Sequence, residues 1–275
     1  MFDWLFDIPS LEFGLGSITL FASLSAGGLA VSRRWIYQRF ELSESSNETI
    51  NGFFAGVGVI YGLLVGLVAV AAWDNYKSVD EIASRESAAI AALYRDVSTL
   101  EGPTKAELQG PLEDYLHYVI EVAWPGHQRG KTPRGGSQIL SHFHSVLAHY
   151  HPTSPEQEAL HREALAAFNK LVEVRRTRLA AINSGIPDVF WVAILGGTLA
   201  TILIAYFFHL ASAALHIGLV GIFGGFVGCL IFLIFAVDRP FRGEVSVQPD
   251  AYLLLLDTLK DLDPEAQATE RPRLP

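Results

Sequence analysis

Residues 52–73 read GFFAGVGVIYGLLVGLVAVAAW, a stretch without a single charged side chain. A helix needs about 20 apolar residues to cross the hydrocarbon core of a bilayer, so this stretch predicts a membrane span. Three further uncharged stretches lie at 13–32, 189–208 and 215–237. The stretch at 13–32 is preceded by the acidic residues Asp3, Asp7 and Glu12 and by no Lys or Arg, which is not typical of a signal peptide, so it counts as a span. The sequence therefore predicts an all-α integral membrane protein with four transmembrane helices.

Composition agrees with this class and excludes others. The 275 residues are 50% hydrophobic and only 18% charged, and the net charge of −9 argues against nucleic acid as a partner. The single cysteine, Cys229, lies inside the last apolar stretch, so it can form neither an intrachain disulfide nor a thiolate metal site. We expect no cofactor.

The spans divide the chain into four parts. We predict a first transmembrane pair at 1–73, a helical domain at 74–186, a second pair at 187–237, and a C-terminal segment and tail at 238–275. No Gly or Pro interrupts 74–101, so the second span should continue as one helix over 52–100. Partner helices are expected at 106–124, 137–149 and 155–184, with a flexible surface loop at 125–136 and a disordered tail from 263.

The distribution of basic residues predicts the orientation. Of the 20 Lys and Arg residues, only Arg33, Arg34 and Arg39 fall on the side opposite the central domain. We therefore expect the protein in the inner (plasma) membrane. By the positive-inside rule, its central domain and both termini lie in the cytoplasm. Acidic residues before the first span and Arg33 and Arg34 after it favour the reverse orientation when they are considered alone.

Glycines at spacing four mark the helices that approach others closely. The second span has Gly58, Gly62 and Gly66, and the fourth has Gly221 and Gly225. This pattern is typical of tight packing between membrane helices, either within one chain or between subunits. The sequence leaves both alternatives open.

No catalytic motif is visible, so an enzyme is disfavoured.

A histidine run lies at 142, 144, 149 and 151, and its seven-residue spacing brings His142 near His149 and His144 near His151 on one helix. No carboxylate or thiolate accompanies these histidines, so ordinary helix surface is the favoured interpretation. Arg175, Arg176 and Arg178 could bind lipid headgroups, pair with acids of a neighbouring helix, or simply follow the positive-inside rule, which is the favoured interpretation. We predict no metal site.

Three segments resemble a known family. They are Asn51-Gly-Phe-Phe-Ala-Gly-Val-Gly-Val-Ile-Tyr-Gly followed by Trp73-Asp-Asn-Tyr76, then Glu86-Ser-Ala-Ala-Ile-Ala-Ala-Leu-Tyr-Arg95, and Asp238-Arg-Pro-Phe-Arg-Gly243. The sequence resembles the bacterial bestrophin-like membrane family of unknown function and, more distantly, the bestrophin ion channels. The arrangement of the spans in two pairs with a helical domain between them extends the resemblance over nearly the whole chain.

The resemblance implies a homopentameric channel whose second helix lines a central pore. Alignment on Trp73-x-x-Tyr76 places Ala55, Val59 and Leu63 at the apolar constriction, with side chains smaller than those typical of the family. Trp73 and Asp74 then lie at the inner end of the pore. The segment after Pro240 has only two scattered acids where calcium-activated bestrophins have an acidic run, so we predict no calcium activation there.

Two functions are compatible with these observations. The first is an oligomeric channel that conducts a small inorganic ion, with Arg33 and Arg34 at the outer mouth favouring anions and Asp74 at the inner edge favouring cations. The second is a non-conducting membrane scaffold or sensor whose cytoplasmic helices recruit a partner. In both, the partners of the chain are the lipid bilayer and further copies of itself.

Overall fold

The computed structural model describes residues 3–100 and 103–262, and these residues form helices without a strand. A short 3-10 helix at Asp3–Asp7 comes first, and a π-helical turn at Val119–Ala123 joins the third helix to the fourth. The α-helices are α1 (Ser10–Phe40), α2 (Ser46–Ser98), α3 (Pro103–Tyr118), α4 (Trp124–Gln128), α5 (Gly135–His149), α6 (Pro155–Ala181), α7 (Asp188–Tyr206), α8 (Ala213–Asp238) and α9 (Asp250–Leu262). The all-α prediction is confirmed.

Four of these helices are long and apolar enough to cross a membrane: α1, α2, α7 and α8. They coincide with the four predicted spans. The continuous second helix is also present, because α2 runs from Ser46 to Ser98 and so begins somewhat earlier than the predicted 52.

The chain divides into two compact units. The membrane unit comprises the residues up to Tyr76 together with Gly185–Val245, and the central unit comprises Lys77–Ser184 and the residues from Ser246 onward. The division falls inside α2.

Close packing of α8 on α1 organises the membrane unit. A Cβ atom added at Gly224 would lie 2.7 Å from the carbonyl oxygen of Phe21, and one added at Gly228 would lie 2.8 Å from that of Ser17. Only glycine allows two helix backbones to approach so closely. A second contact region joins α2 to α7 and α8 through the buried residues Tyr61, Val65, Val68, Ala72, Ile194, Val227, Ile231 and Ile234.

The central unit is a helical core formed around the second half of α2. This half of α2 carries an apolar stripe that is buried at Val79, Ile90, Leu93 and Val97, and Leu100 just beyond the helix is buried as well. α6 begins as its sequence predicts: Ser154 Oγ accepts a hydrogen bond from the backbone N–H of Gln157, with Pro155 in the first turn.

Two details of the central unit differ from the sequence prediction. The loop expected at 125–136 covers only 129–134, because α4 ends at Gln128 and α5 begins at Gly135. A Pro-Gly pair is typical of a turn, but here Pro125 lies in the first turn of a helix and Gly126 allows Pro133 to pack closely. α9 was not predicted. The predicted disorder from residue 263 lies outside the described residues.

Candidate functional site

The predicted pore residues lie on one exposed face of α2. Val59 and Leu63 are 72% and 64% exposed, and Ala55 is exposed as well. The opposite side of the helix carries Tyr61 and Val65, which are buried. Because successive residues turn by about 100° around a helix, the three predicted residues share the face that points away from the rest of the membrane unit.

The rotation of α2 is fixed by its contacts with α7. The hydroxyl of Tyr61 is hydrogen-bonded to that of Thr198 at 2.6 Å, and Gly197 leaves room for the tyrosine ring beside it. A hydroxyl pair inside an apolar helix bundle has few alternative partners. These contacts therefore determine which face of α2 remains exposed.

The glycines of α2 and α8 have different surroundings. Gly58, Gly62 and Gly66 have no atom within 4 Å of an added Cβ, and they border a groove of about 340 Å³ beside α8. Gly221 and Gly225 instead face α1, where added Cβ atoms would meet Ala26 Cβ at 3.3 Å and Ala22 Cβ at 3.5 Å. The α8 glycines thus pack within the chain, whereas those of α2 are open to whatever surrounds the unit.

The apolar face of α2 ends at Trp73 and Asp74. Trp73 stacks on Tyr76 with 5.6 Å between ring centroids and 9° between ring planes. Asp74 is exposed. A carboxylate therefore follows directly where the apolar face ends.

The two arginines predicted at the outer mouth are in different environments. Arg33 donates a hydrogen bond from Nη2 to the carbonyl oxygen of Leu210 at 2.7 Å, and its guanidinium carbon lies 4.4 Å from the ring centroid of Tyr37. Arg34 is exposed. Arg33 therefore has a structural role in holding the connection between α7 and α8.

A buried ionic cluster in the central unit was not predicted from the sequence. Glu86 of α2 and Arg178 of α6 are 0% and 1% exposed. Arg178 Nε donates to Glu86 Oε2 at 2.6 Å, and Nη2 donates to Oε1 at 3.1 Å. The hydroxyl of Tyr115 donates to the same Oε1 at 2.6 Å. This two-point pairing is the geometry in which a buried carboxylate is best satisfied.

His127 of α4 completes the cluster. Its Nδ1 lies 3.2 Å from Arg178 Nη1, and because a guanidinium only donates, His127 must be neutral and accept there. Burial, together with the charges of Arg178 and Arg175, lowers the pKa of His127 to about 3. Burial also raises the pKa of Tyr115, and the adjacent Glu86 carboxylate raises it further. His127 therefore stays neutral at ordinary pH.

Arg178 corrects the favoured interpretation of the three arginines before α7. Arg178 pairs with Glu86 of a neighbouring helix, which was one of the alternatives stated for these arginines. Its position is therefore not explained by the positive-inside rule. The sequence did carry a signal. Glu86 lies four residues before Ile90 on the apolar stripe of α2, and Arg178 lies four after Val174 on that of α6. A charged residue on each of two buried stripes indicates a buried pair.

One of the two predicted histidine pairs does not form, whereas His142 and His149 both lie on α5. α5 ends at His149, so His151 lies beyond the helix and cannot share a helical face with His144. His144 instead stacks on Phe168. Among the described residues, no group of three or more potential ligands is placed to hold a metal ion.

The acidic residues in and after the segment 238–243 accept hydrogen bonds from backbone N–H groups of the membrane unit. Asp238 Oδ1 accepts a hydrogen bond from the backbone N–H of Ile186 at 2.6 Å, and Glu244 Oε2 accepts from that of Ser10 at 2.8 Å. The carboxylate of Glu244 thereby caps the positive end of the α1 dipole.

Comparisons with known proteins agree with this architecture. The family model of the bestrophin-like domain matches residues 19–252. A crystal structure of a point variant of a bacterial bestrophin homologue from Klebsiella pneumoniae superposes with a TM-score of 0.62, at 12% identity, and covers 91% of this chain and 98% of its own. A point variant of a membrane protein superposes with a TM-score of 0.57, at 11% identity, covering 92% and 98%.

At these identities the solved structures show similarity of fold alone. No curated protein matches the chain. The family match, in contrast, extends over most of the sequence and includes all three segments of the resemblance. The chain therefore belongs to the bestrophin-like family.

Proposed function

We propose that this protein is an oligomeric ion channel in which the exposed face of α2 lines the pore and passes a small inorganic ion. The observation that carries the proposal is the position of Ala55, Val59 and Leu63 opposite the face of α2 that packs on α7 and α8. Several copies around an axis would place this face of α2 at the centre, and the family resemblance favours five.

The proposed pore has an apolar constriction. Val59 and Leu63 would repeat around the axis as hydrophobic rings, which can close a narrow pore by excluding water. Asp74 would form an acidic ring at one end. At the other end, Arg34 is exposed whereas Arg33 is held by the Leu210 carbonyl, so Arg34 carries the attraction for anions. The excess of basic residues places the Asp74 end, the central unit and the termini in the cytoplasm, with the protein in the inner membrane.

The experiment is planar-bilayer recording of the purified protein under asymmetric salt, with the oligomeric mass determined in the same detergent. We expect single-channel currents from an oligomer, and the reversal potential gives the sign of the conducted ion. Leu63→Ser should increase the open probability severalfold, because a polar ring is wetted more easily than an apolar one. Leu199→Ser is the matched control, since Leu199 is exposed on α7.

Two results would count against the channel. A strictly monomeric protein removes the possibility of a shared pore. Absence of current from a folded oligomer favours the alternative, a non-conducting scaffold or sensor whose helices recruit a partner. If Asp74 lines the pore, Asp74→Asn lowers the preference for cations, and unchanged permeability ratios would place Asp74 outside the conduction path.

A further inference from the structure

A hydrogen-bond network in the membrane unit joins α1 to the connection between α7 and α8, residues 207–212. At its centre is the hydroxyl of Tyr37, which donates to the carbonyl oxygen of Phe208 at 2.7 Å and accepts from the backbone N–H of Leu210 at 3.2 Å. The same oxygen lies 3.3 Å from Nδ1 of His216. Nε2 of His216 lies 3.0 Å from the carbonyl oxygen of Ala205, and the side chain is only 2% exposed.

The number of protons in this network depends on the charge of His216. A neutral imidazole has one N–H. If Nε2 carries it, the bond to Ala205 is made, but Nδ1 faces a tyrosine oxygen whose only proton is already donated to Phe208. If Nδ1 carries the proton, the contact with Tyr37 is made, but the unprotonated Nε2 then faces the carbonyl oxygen of Ala205, and both atoms are acceptors. Each neutral tautomer leaves one contact without a proton, whereas the imidazolium satisfies both.

We propose that Tyr37 and His216 form a proton-operated latch: when His216 gains a second proton, the network is completed and the α7–α8 connection is held more firmly against α1. The tyrosine oxygen has the capacity required, since it can donate once and accept twice. The added bond is charge-assisted and therefore stronger than a neutral one. This inference does not depend on whether the protein conducts ions.

The charged and titratable groups around His216 set the conditions for the latch. From α1 these are Tyr37 and Arg33, whose guanidinium carbon lies 4.4 Å from the tyrosine ring centroid. From the connection it is His209, whose ring lies 5.0 Å from that of Tyr37. α7 contributes the Ala205 carbonyl. Within the described residues, no carboxylate contacts His216, and the positive charge of Arg33 repels a second proton there, so that proton has only the hydrogen bonds to Tyr37 and Ala205 to hold it.

The latch acts on a segment that also contacts the start of α2. The side chain of Asn47 donates to the carbonyl oxygen of His209 at 2.9 Å and accepts from its backbone N–H at 2.8 Å. Asn47 lies in the first turn of α2. Tightening or loosening of the connection is therefore transmitted to the beginning of the helix that carries the exposed apolar face.

Hydrogen–deuterium exchange of the full-length protein in lipid nanodiscs tests the latch. The protection of the Leu210 amide, corrected for the intrinsic pH dependence of exchange, should increase about tenfold between about pH 8 and about pH 5, as expected for one added charge-assisted hydrogen bond. Tyr37→Phe and His216→Gln should each abolish the increase. His142→Gln, which removes an exposed histidine of α5, is the matched control and should leave it unchanged.

Three results would overturn the proposal. The first is protection in the unsubstituted protein that does not change with pH, a result that requires no variant to fold. The second is an undiminished increase in Tyr37→Phe or His216→Gln. The third is a pH-dependent increase in protection that is lost in His209→Gln but kept in His216→Gln, because that outcome assigns the proton to His209.

Discussion

At the scale of single residues, the pair of Glu86 and Arg178 is the interaction whose loss we expect to be most costly. Arg178→Met leaves the Glu86 carboxylate buried without its cation, and removal of one member of a buried ion pair typically costs about 3–5 kcal/mol. Unfolding of the full-length protein in detergent measures the loss. Arg176→Met, at an exposed neighbouring position, is the control, and equal losses in both variants would contradict a special role for Arg178.

His127 makes stability depend on pH. Its pKa is lowered from 6.5 to about 3 in the folded protein, so the unfolded chain binds the proton more readily than the folded one. Stability contributed by this residue is therefore complete above about pH 6.5 and falls as the pH decreases towards about 3, by at most about 1.4 kcal/mol per pH unit.

The His127→Asn variant isolates this contribution. The asparagine side-chain oxygen can still accept from Arg178, but it does not titrate, so the decrease of the unfolding midpoint between about pH 6.5 and pH 5 should become shallower. His142→Asn, at an exposed position of α5, should leave the decrease as it is. The same flattening in both variants would mean that the acid sensitivity arises elsewhere.

At the scale of helices, the contact between α1 and α8 depends on glycine. Gly228→Val would place side-chain atoms against the Ser17 carbonyl oxygen, which lies 2.8 Å from an added Cβ, and overpacking of this kind costs about 1–3 kcal/mol. Gly218→Val is on the same helix with open space around it, so its effect on unfolding should be small. If the two substitutions destabilise the protein equally, helix propensity and not helix contact explains the loss.

At the scale of the whole molecule, the side of the membrane on which each connection lies is a prediction. In a Cys229→Ser background, Ser43→Cys in the α1–α2 connection should react with an impermeant maleimide added to spheroplasts, whereas Ser141→Cys in α5 should react only after lysis. Both positions are exposed, so a difference in labelling reports on sidedness. The reverse pattern would mean that the acidic residues before α1 and the arginines after it decide the orientation.

The sequence by itself determined most of the helices of this protein, although not α4 or α9. The four spans, the continuous α2 and the partner helices follow from hydropathy, helical period and the absence of Gly and Pro, all of which act over a few turns of one helix. The error at 125–136 has the same origin, because a Pro-Gly pair has one local meaning in a turn and another in the first turn of α4.

Only the tertiary structure decided which residues meet. Glu86 and Arg178 are 92 positions apart in the chain, and Tyr37 and His216 are 179 apart. The exposed face of α2 is likewise defined by what covers its other side, through the hydroxyl pair of Tyr61 and Thr198. A local pattern can indicate that a charged residue lies on a buried stripe, but its partner depends on how the helices pack, and packing is a property of the folded chain as a whole.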